Sequence, residues 1–419
     1  MWCPKSVHMQ VNWCYIPCVR NRHLILQFNI AHFSHHVSTG ALIPLLPVLR
    51  QAFNLNYFQA GILVSAFSIS LGFGQIPMAV LADRFSRRII IVGGMTGIAL
   101  AGIGVSLTNT FWQMIACIIA MGLFGSTYHA PASSFISQAL PPSRRGKALG
   151  YHVIGGSIAY LFTPVAALWL ATALRSWRAP FLILALPALV SGLVLWLGTE
   201  EITRQSEDEG SAGEQREAGS SSRASSGTTE DEASWYGIVR SIGLIASVAM
   251  ILQLTVSSIN SYLPLCMVDQ HGVPPEWAGL VTAIVAGAGI IGAPLGGGLS
   301  DRLGRKRVII AAILLSGPML LAVTKAPYGI LLLLALICYG TVMVARLPLA
   351  ESLIADHVPV GRRTTVLGIY LFVGQETGGI VTPVVGRFID AYGGETVLTW
   401  VGIGLCAVAA IAWLLRKYM

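Results

Sequence analysis

Leu81-Ala82-Asp83-Arg84-Phe85-Ser86-Arg87-Arg88 ends one hydrophobic run and precedes another, and it returns as Leu299-Ser300-Asp301-Arg302-Leu303-Gly304-Arg305-Lys306-Arg307. An offset of 218 residues relates the two copies, and it also carries Pro141 to Pro359, Arg144-Arg145 to Arg362-Arg363 and Leu149-Gly150 to Leu367-Gly368. One register held over so long a stretch marks the chain as an internal duplication. Paired halves are a recurring construction for membrane transporters, because a site at their interface opens to either side when one half rocks against the other.

Composition identifies the solvent. With 54% hydrophobic and only 11% charged residues, the 419-residue chain lacks the charge that a water-soluble surface of this size requires. About twelve segments reach the length of roughly 20 residues that a helix needs to cross the hydrocarbon. They lie near 24–50, 58–82, 88–108, 111–140, 145–172 and 178–199 in the first half. In the second half they lie near 237–268, 275–299, 307–325, 328–357, 363–390 and 396–416. The expected fold is an all-α integral membrane protein with twelve transmembrane helices in two pseudo-symmetric six-helix bundles, 24–199 and 237–416. The 45 glycines suit close helix approach in lipid.

Basic residues set the expected orientation. With the amino terminus in the cytoplasm, fourteen fall on the cytoplasmic side: Arg84, Arg87, Arg88, Arg144, Arg145, Lys147, Arg302, Arg305, Lys306, Arg307, Arg362, Arg363, Arg416 and Lys417. Five fall on the other side: Arg50, Arg175, Arg178, Lys325 and Arg387. Both termini are therefore expected in the cytoplasm, with 417–419 as a short tail. Residues 200–236 form an expected disordered, acidic, cytoplasmic linker, since dense charge and low hydrophobicity bury too little surface to offset ordering entropy. Ten of the nineteen acidic residues lie there beside three arginines, so the formal +8 divides into −7 for the linker and +15 for the remainder.

Residues 1–23 are expected as a cytoplasmic leader. Cys3, Cys14 and Cys18 beside His8 and His23 lack the second pair of a zinc site, and no secretory signal pattern is present. Cys117, Cys266, Cys338 and Cys406 lie in expected helices and read as small apolar residues outside any disulfide framework.

Twelve helices in two halves, a linker between them and the loop motif G-x-x-x-D-R-x-G-R-K together resemble the major facilitator superfamily of secondary transporters, over roughly residues 24–416. The second copy fits fully with Gly297, Asp301, Arg302, Gly304, Arg305 and Lys306, whereas the first departs at Ala79 and Ser86. The resemblance implies a plasma or inner membrane protein in which these loops help latch the cytoplasmic side, with Asp83, Arg84, Arg87, Arg88, Asp301, Arg302, Arg305 and Lys306 as gating residues. Pairs of this kind stabilise one of two arrangements by a few kcal/mol at most. The stretch Gly125-Ser126-Thr127-Tyr128-His129-Ala130-Pro131, followed by Arg144-Arg145-Gly146, is similar to helix four of the fosmidomycin-resistance branch, although Ala130 separates the histidine from the proline. The helix-five pattern of drug–proton antiporters is represented only by Gly155-Gly156 and Thr163-Pro164.

Nine carboxylates lie outside the linker, and two of them, Glu351 and Glu376, are embedded in expected helices. An intramembrane carboxylate is costly to keep ionised, so both are candidates for proton coupling. Arg346 stands near mid-membrane on helix ten. Glu351, five residues on and rotated by roughly 140°, points elsewhere, so Glu376 or an anionic solute is the expected partner of Arg346. Aligning Pro131 with Pro348 superposes His129 on Arg346.

Helix one carries Asn29, His32, His35, His36 and Thr39 on one arc of about 120°. Imidazoles hydrogen-bond across helices and, with an unperturbed pKa near 6.5, gain a proton within the physiological range. In the superfamily, helices one, four, seven and ten line the cavity. The resemblance thus implies substrate contacts from His32, His35, His36, Tyr128, His129, Gln253, Ser257, Asn260 and Arg346. His32 and His36 at i, i+4 lack a neighbouring carboxylate or cysteine, so no metal is expected.

A cavity that takes no acid from the amino-terminal half and an arginine from the other suits an anionic or zwitterionic small molecule. No G-x-x-x-x-G-K-[ST] loop exists, so a gradient must supply the work. The expectation is a proton-coupled, non-enzymatic secondary transporter without cofactor, acting as a monomer in the bilayer on a small solute and not on nucleic acid. A proton-independent facilitator and a non-transporting receptor are the alternatives.

Overall fold

A computed structural model describes residues 11–140, 142–199, 235–357 and 378–414, and among them the chain is helical throughout, with no strand. In the first half the helices are α1 (Val11–Thr39), α2 (Leu42–Phe53), α3 (Tyr57–Arg84), α4 (Arg87–Leu107), α5 (Phe111–Gly125), α6 (His129–Gln138), α7 (Pro142–Ala173), α8 (Arg178–Ile183) and α9 (Leu186–Gly198). The second half contributes α10 (Trp235–His271), a 3-10 turn at Pro275–Trp277, α11 (Ala278–Gly287), α12 (Gly289–Leu303), α13 (Arg305–Lys325), α14 (Ile330–His357), α15 (Gly378–Tyr392) and α16 (Gly394–Leu414).

Nine described helices are long and apolar enough to cross a membrane. The first expected span is divided into α1 and α2, the tenth is a shorter apolar stretch over Ile330–Arg346, and the eleventh is described only from Gly378 onward. α1 also reaches back to Val11, ahead of the expected start at 24. Large apolar side chains such as Trp112 and Leu197, 74% and 76% exposed, cover the outside. In water such a surface would forfeit about 25 cal/mol per Å²; in lipid it is the solvated face.

The duplicated turns keep their register but not their chemistry. α4 and α13 are both 21 residues long and begin at Arg87 and Arg305, related by the 218-residue offset. In the second copy Gly304 makes the turn at φ +88°, a left-handed value that glycine tolerates. In the first, Ser86 adopts an extended conformation and its hydroxyl accepts from the Ile89 N–H at 3.3 Å, capping α4. The departure of Ser86 from the motif is thus an N-cap replacing a glycine turn.

Four described spans are interrupted, among them the sixth, at Leu184-Ala185 between α8 and α9. The segment Ser126-Thr127-Tyr128 unwinds between α5 and α6, and the Ser126 and Thr127 hydroxyls donate to the Leu123 and Phe124 carbonyls at 2.6 and 2.8 Å. Such back-bonding satisfies carbonyls that a broken helix leaves behind in a membrane. α1 gives way to α2 at Gly40-Ala41, and α11 to α12 at Ala288.

Helix α3 packs along α15, and α7 packs along α11, so these pairs form the seam between the halves. Gly61 makes the first approach possible: a Cβ there would lie 2.9 Å from the Pro383 Cα. Within the first half α1 packs on α7 and α9; within the second, α13 packs on α14 and α16.

Candidate functional site

A cavity of about 770 Å³ is enclosed chiefly by α1, α2, α3 and α7, with His129 from the start of α6 and Thr282 and Ala286 from α11. Its polar lining comprises His32, His35, His36, Thr39, Ser68, Gln75, His129, Tyr160, Thr163 and Thr282, and among the described residues no acidic side chain lines it. Four members of the arc on helix one therefore face one chamber, while Asn29 donates from Nδ2 to the Tyr151 carbonyl at 2.6 Å.

The imidazoles form a connected group whose tautomers follow from their partners. Carbonyl oxygens only accept, so His32 Nδ1–H donates to the His152 carbonyl at 2.8 Å, His35 Nε2–H to the Gly125 carbonyl at 3.0 Å and His152 Nδ1–H to the Phe28 carbonyl at 3.2 Å. With its Nδ1 protonated, neutral His32 presents an Nε2 lone pair, which accepts from His36 Nε2–H at 3.1 Å. The unwound turn after α5 supplies the Gly125 carbonyl that fixes His35, which is only 1% exposed. The rings also pack: His32 stacks on His152 at 4.3 Å between centroids, His35 on Tyr128 at 5.1 Å, and His36 lies 4.7 Å from Tyr160. Gly156 makes room for this packing, since a Cβ there would sit 2.7 Å from His32 Cε1 and 3.0 Å from His36 Cδ2.

Tyr128 is fully buried and lies behind the chamber wall. Its ring supports His32 and His35 while its hydroxyl donates to the Phe28 carbonyl at 2.9 Å. His152 was missed as a site residue in the sequence, where it stands alone on a different expected helix; only the fold brings it against His32. Tyr160, Gln75, Ser68 and Thr282 were missed for the same reason.

The second group lies in the carboxy-terminal half. Arg346, 2% exposed, donates from Nη2 to Gln253 Oε1 at 2.7 Å, linking α14 to α10. Tyr339 donates from its hydroxyl to Asn260 Oδ1 at 2.8 Å. These four residues form two bonds between the same helices, and they are not among the residues lining the histidine chamber. Glu376 lies outside the described residues, as does the side chain of Glu351.

The described side chains among the expected gating residues are engaged locally or face outward. Arg87 donates to Gln138 Oε1 at 2.9 Å; Arg88 donates to the Trp196 carbonyl and its guanidinium lies 4.4 Å above the Trp196 ring, so both contacts stay inside the first half. Arg84, Asp301 and Arg302 are exposed, and the side chains of Asp83, Arg305 and Lys306 lie outside the described residues. Among the described residues, the hydrogen bonds that join the halves gather toward the opposite end of α3. Arg50 pairs with Asp269, and Tyr57 donates from its hydroxyl to Asp269 Oδ2 at 2.7 Å. Asp390 accepts the Tyr57 and Phe58 N–H groups at 2.8 and 2.9 Å, placing its charge at the electropositive start of α3. Tyr262, buried, donates toward the Tyr57 and Thr382 carbonyls at 3.1 and 2.8 Å, and Ser65 bonds the Gly379 carbonyl further along the seam. This closed end escaped the sequence because Asp269 and Asp390 look like ordinary helix-end carboxylates until the halves are apposed.

Comparisons agree with this architecture. The chain is 22% identical over 375 residues to the uncharacterized MFS-type transporter YfnC of Bacillus subtilis (strain 168), covering 88% of this chain and 87% of that one. It is 24% identical over 413 residues to the multidrug resistance protein MdtG of Rahnella sp. (strain Y9602), covering 94% and 92%. Among solved structures, an inward-facing, unoccupied bacterial homolog of the human lysosomal transporter Spinster superposes with a TM-score of 0.76 at 16% identity, covering 95% of this chain and 97% of that one. The family model of the Major Facilitator Superfamily matches residues 28–243 and 245–418, and the chain therefore belongs to that superfamily of multi-pass membrane transporters for small molecules.

Proposed function

We propose that this transporter carries a small anionic or zwitterionic organic solute across the plasma membrane, coupled to protons, as a monomer with both termini in the cytoplasm. The observation that supports it best is the chamber itself: among the described residues four histidines line it and no carboxylate does. A cationic solute finds no counter-charge among the described lining residues. A solute carboxylate or phosphonate finds hydrogen-bond donors that become cations on protonation. Arg346, on the opposite half, is a permanent cation already held in hydrogen-bonding geometry by Gln253. Moving it toward the chamber as the halves pivot brings solute charge and guanidinium together. Glu376 and Glu351 are the assigned proton carriers, with residues 200–236 as the cytoplasmic linker between bundles 24–199 and 237–416.

Alternating access follows from the two ends of the seam. The Arg50, Tyr57, Asp269 and Asp390 contacts close the outer end, while the Asp-Arg turns latch the cytoplasmic end in the opposite state, by the polarity that the basic loops assign. The test is a screen of organic anions in proteoliposomes with an imposed pH gradient. Arg346→Gln is expected to raise KM for the transported anion about tenfold or more, the worth of a charge-assisted hydrogen bond. Glu376→Gln is expected to abolish gradient-driven accumulation while counterflow persists. Unchanged KM in the first variant removes the charge preference, and full accumulation in the second removes Glu376 as proton carrier.

A further inference from the structure

We propose that His32, His36 and His129 form a binding site for a divalent late-transition-metal ion of the zinc class, on the wall of the chamber. One ligand nitrogen from each residue lies within 4.8 Å of the others. Tetrahedral coordination at about 2.0–2.1 Å separates neighbouring nitrogens by roughly 3.3 Å, and the His32 and His36 Nε2 atoms are 3.1 Å apart. His129 is only partly buried and faces the cavity, so its ring has room to complete the set.

The surroundings have the properties of a ligand shell. His32 donates its other ring N–H to the His152 carbonyl, which leaves its Nε2 lone pair free for a metal and holds the ring in place. His36 bonds to His32 through a single N–H···N contact, which an ion replaces once His36 carries its proton on Nδ1. Three neutral imidazoles suit Zn²⁺, Co²⁺, Ni²⁺ or Cu²⁺ and reject Mg²⁺ and Ca²⁺, which require oxygen ligands. Sequence spacing offered only the i, i+4 pair; the broken helix between α5 and α6 adds the third ligand by placing His129 at a helix start opposite that pair. Since no acidic residue lines the chamber among the described residues, the ion's charge is balanced at its fourth position, which opens on the cavity and takes hydroxide or an anionic solute. The site stands whichever solute is transported.

Zinc K-edge absorption spectroscopy on the full chain tests it, using a histidine-free purification tag and Cys3→Ser, Cys14→Ser and Cys18→Ser to remove leader thiolates. One zinc per chain with three imidazole nitrogens at about 2.0 Å and no sulfur shell is expected. His36→Ala and His129→Ala are each expected to weaken zinc binding more than about tenfold, whereas His271→Ala, at the far end of α10, leaves it unchanged. Fewer than three imidazoles, a sulfur shell near 2.3 Å, or affinity indifferent to both wall variants overturns the site. If a variant fails to fold, the spectrum of the chain with its chamber intact decides alone.

Discussion

At the scale of single residues, the chamber depends on what is missing at position 156 as much as on the imidazoles beside it. A side chain on Gly156 meets His32 and His36 at 2.7 and 3.0 Å, and these rings are packed against Tyr128, His152 and Tyr160. Gly156→Val is therefore expected to cost about 1–3 kcal/mol of stability by overpacking, read as a lower melting temperature in detergent, and to depress transport with it. An unchanged melting temperature would show that α1 and α7 separate more easily than their packing implies. The histidine arc was legible because a 3.6-residue period can be counted along one helix. His152 was not, because its partners lie 120 and 124 positions away and no local pattern announces them.

At the scale of helices, closure of one end of the seam is concentrated at the first turn of α3. Asp390 accepts two backbone N–H groups there, and the exposed Arg50 and Asp269 pair adds less because solvent screens it. Asp390→Asn removes the charge from two charge-assisted hydrogen bonds, worth about 1.5–3 kcal/mol each at most. The open population of that end is expected to rise by about tenfold or more. Reactivity of a cysteine introduced at Ser68 toward membrane-impermeant maleimide applied from outside measures this, and equal labelling rates with and without the substitution would place the closing energy elsewhere. The duplicated turns carry a related lesson: the repeat in the sequence located both of them, yet Ser86 and Gly304 reach matching helix starts by different means, one capping with its hydroxyl and the other turning at positive φ.

At the scale of the whole molecule, two copies of one helix-turn-helix motif must emerge on the same face of the membrane. Cysteines placed at the exposed Phe85 and Leu303 are expected to react only from the cytoplasmic side, and one at Gln51 only from the other. Labelling of Phe85 and Leu303 positions from opposite sides would break the topology. Hydropathy, the 218-residue repeat and the bias of arginine and lysine between loops are all properties of the chain as a linear string, and they sufficed for the solvent, the helical class and the expected orientation, while the resemblance of the Asp-Arg loop motif pointed to the family. Periodicity also found His32, His35 and His36. The chain order could not show that α6 brings His129 to that arc, that Arg346 bonds Gln253 across two helices, or that Asp390 caps a helix more than three hundred residues earlier. Those are meetings between distant segments, and they are settled by the packing of helices within each half and between the halves, where close approach at small residues and satisfaction of buried polar groups choose among many arrangements that the same hydrophobic pattern permits.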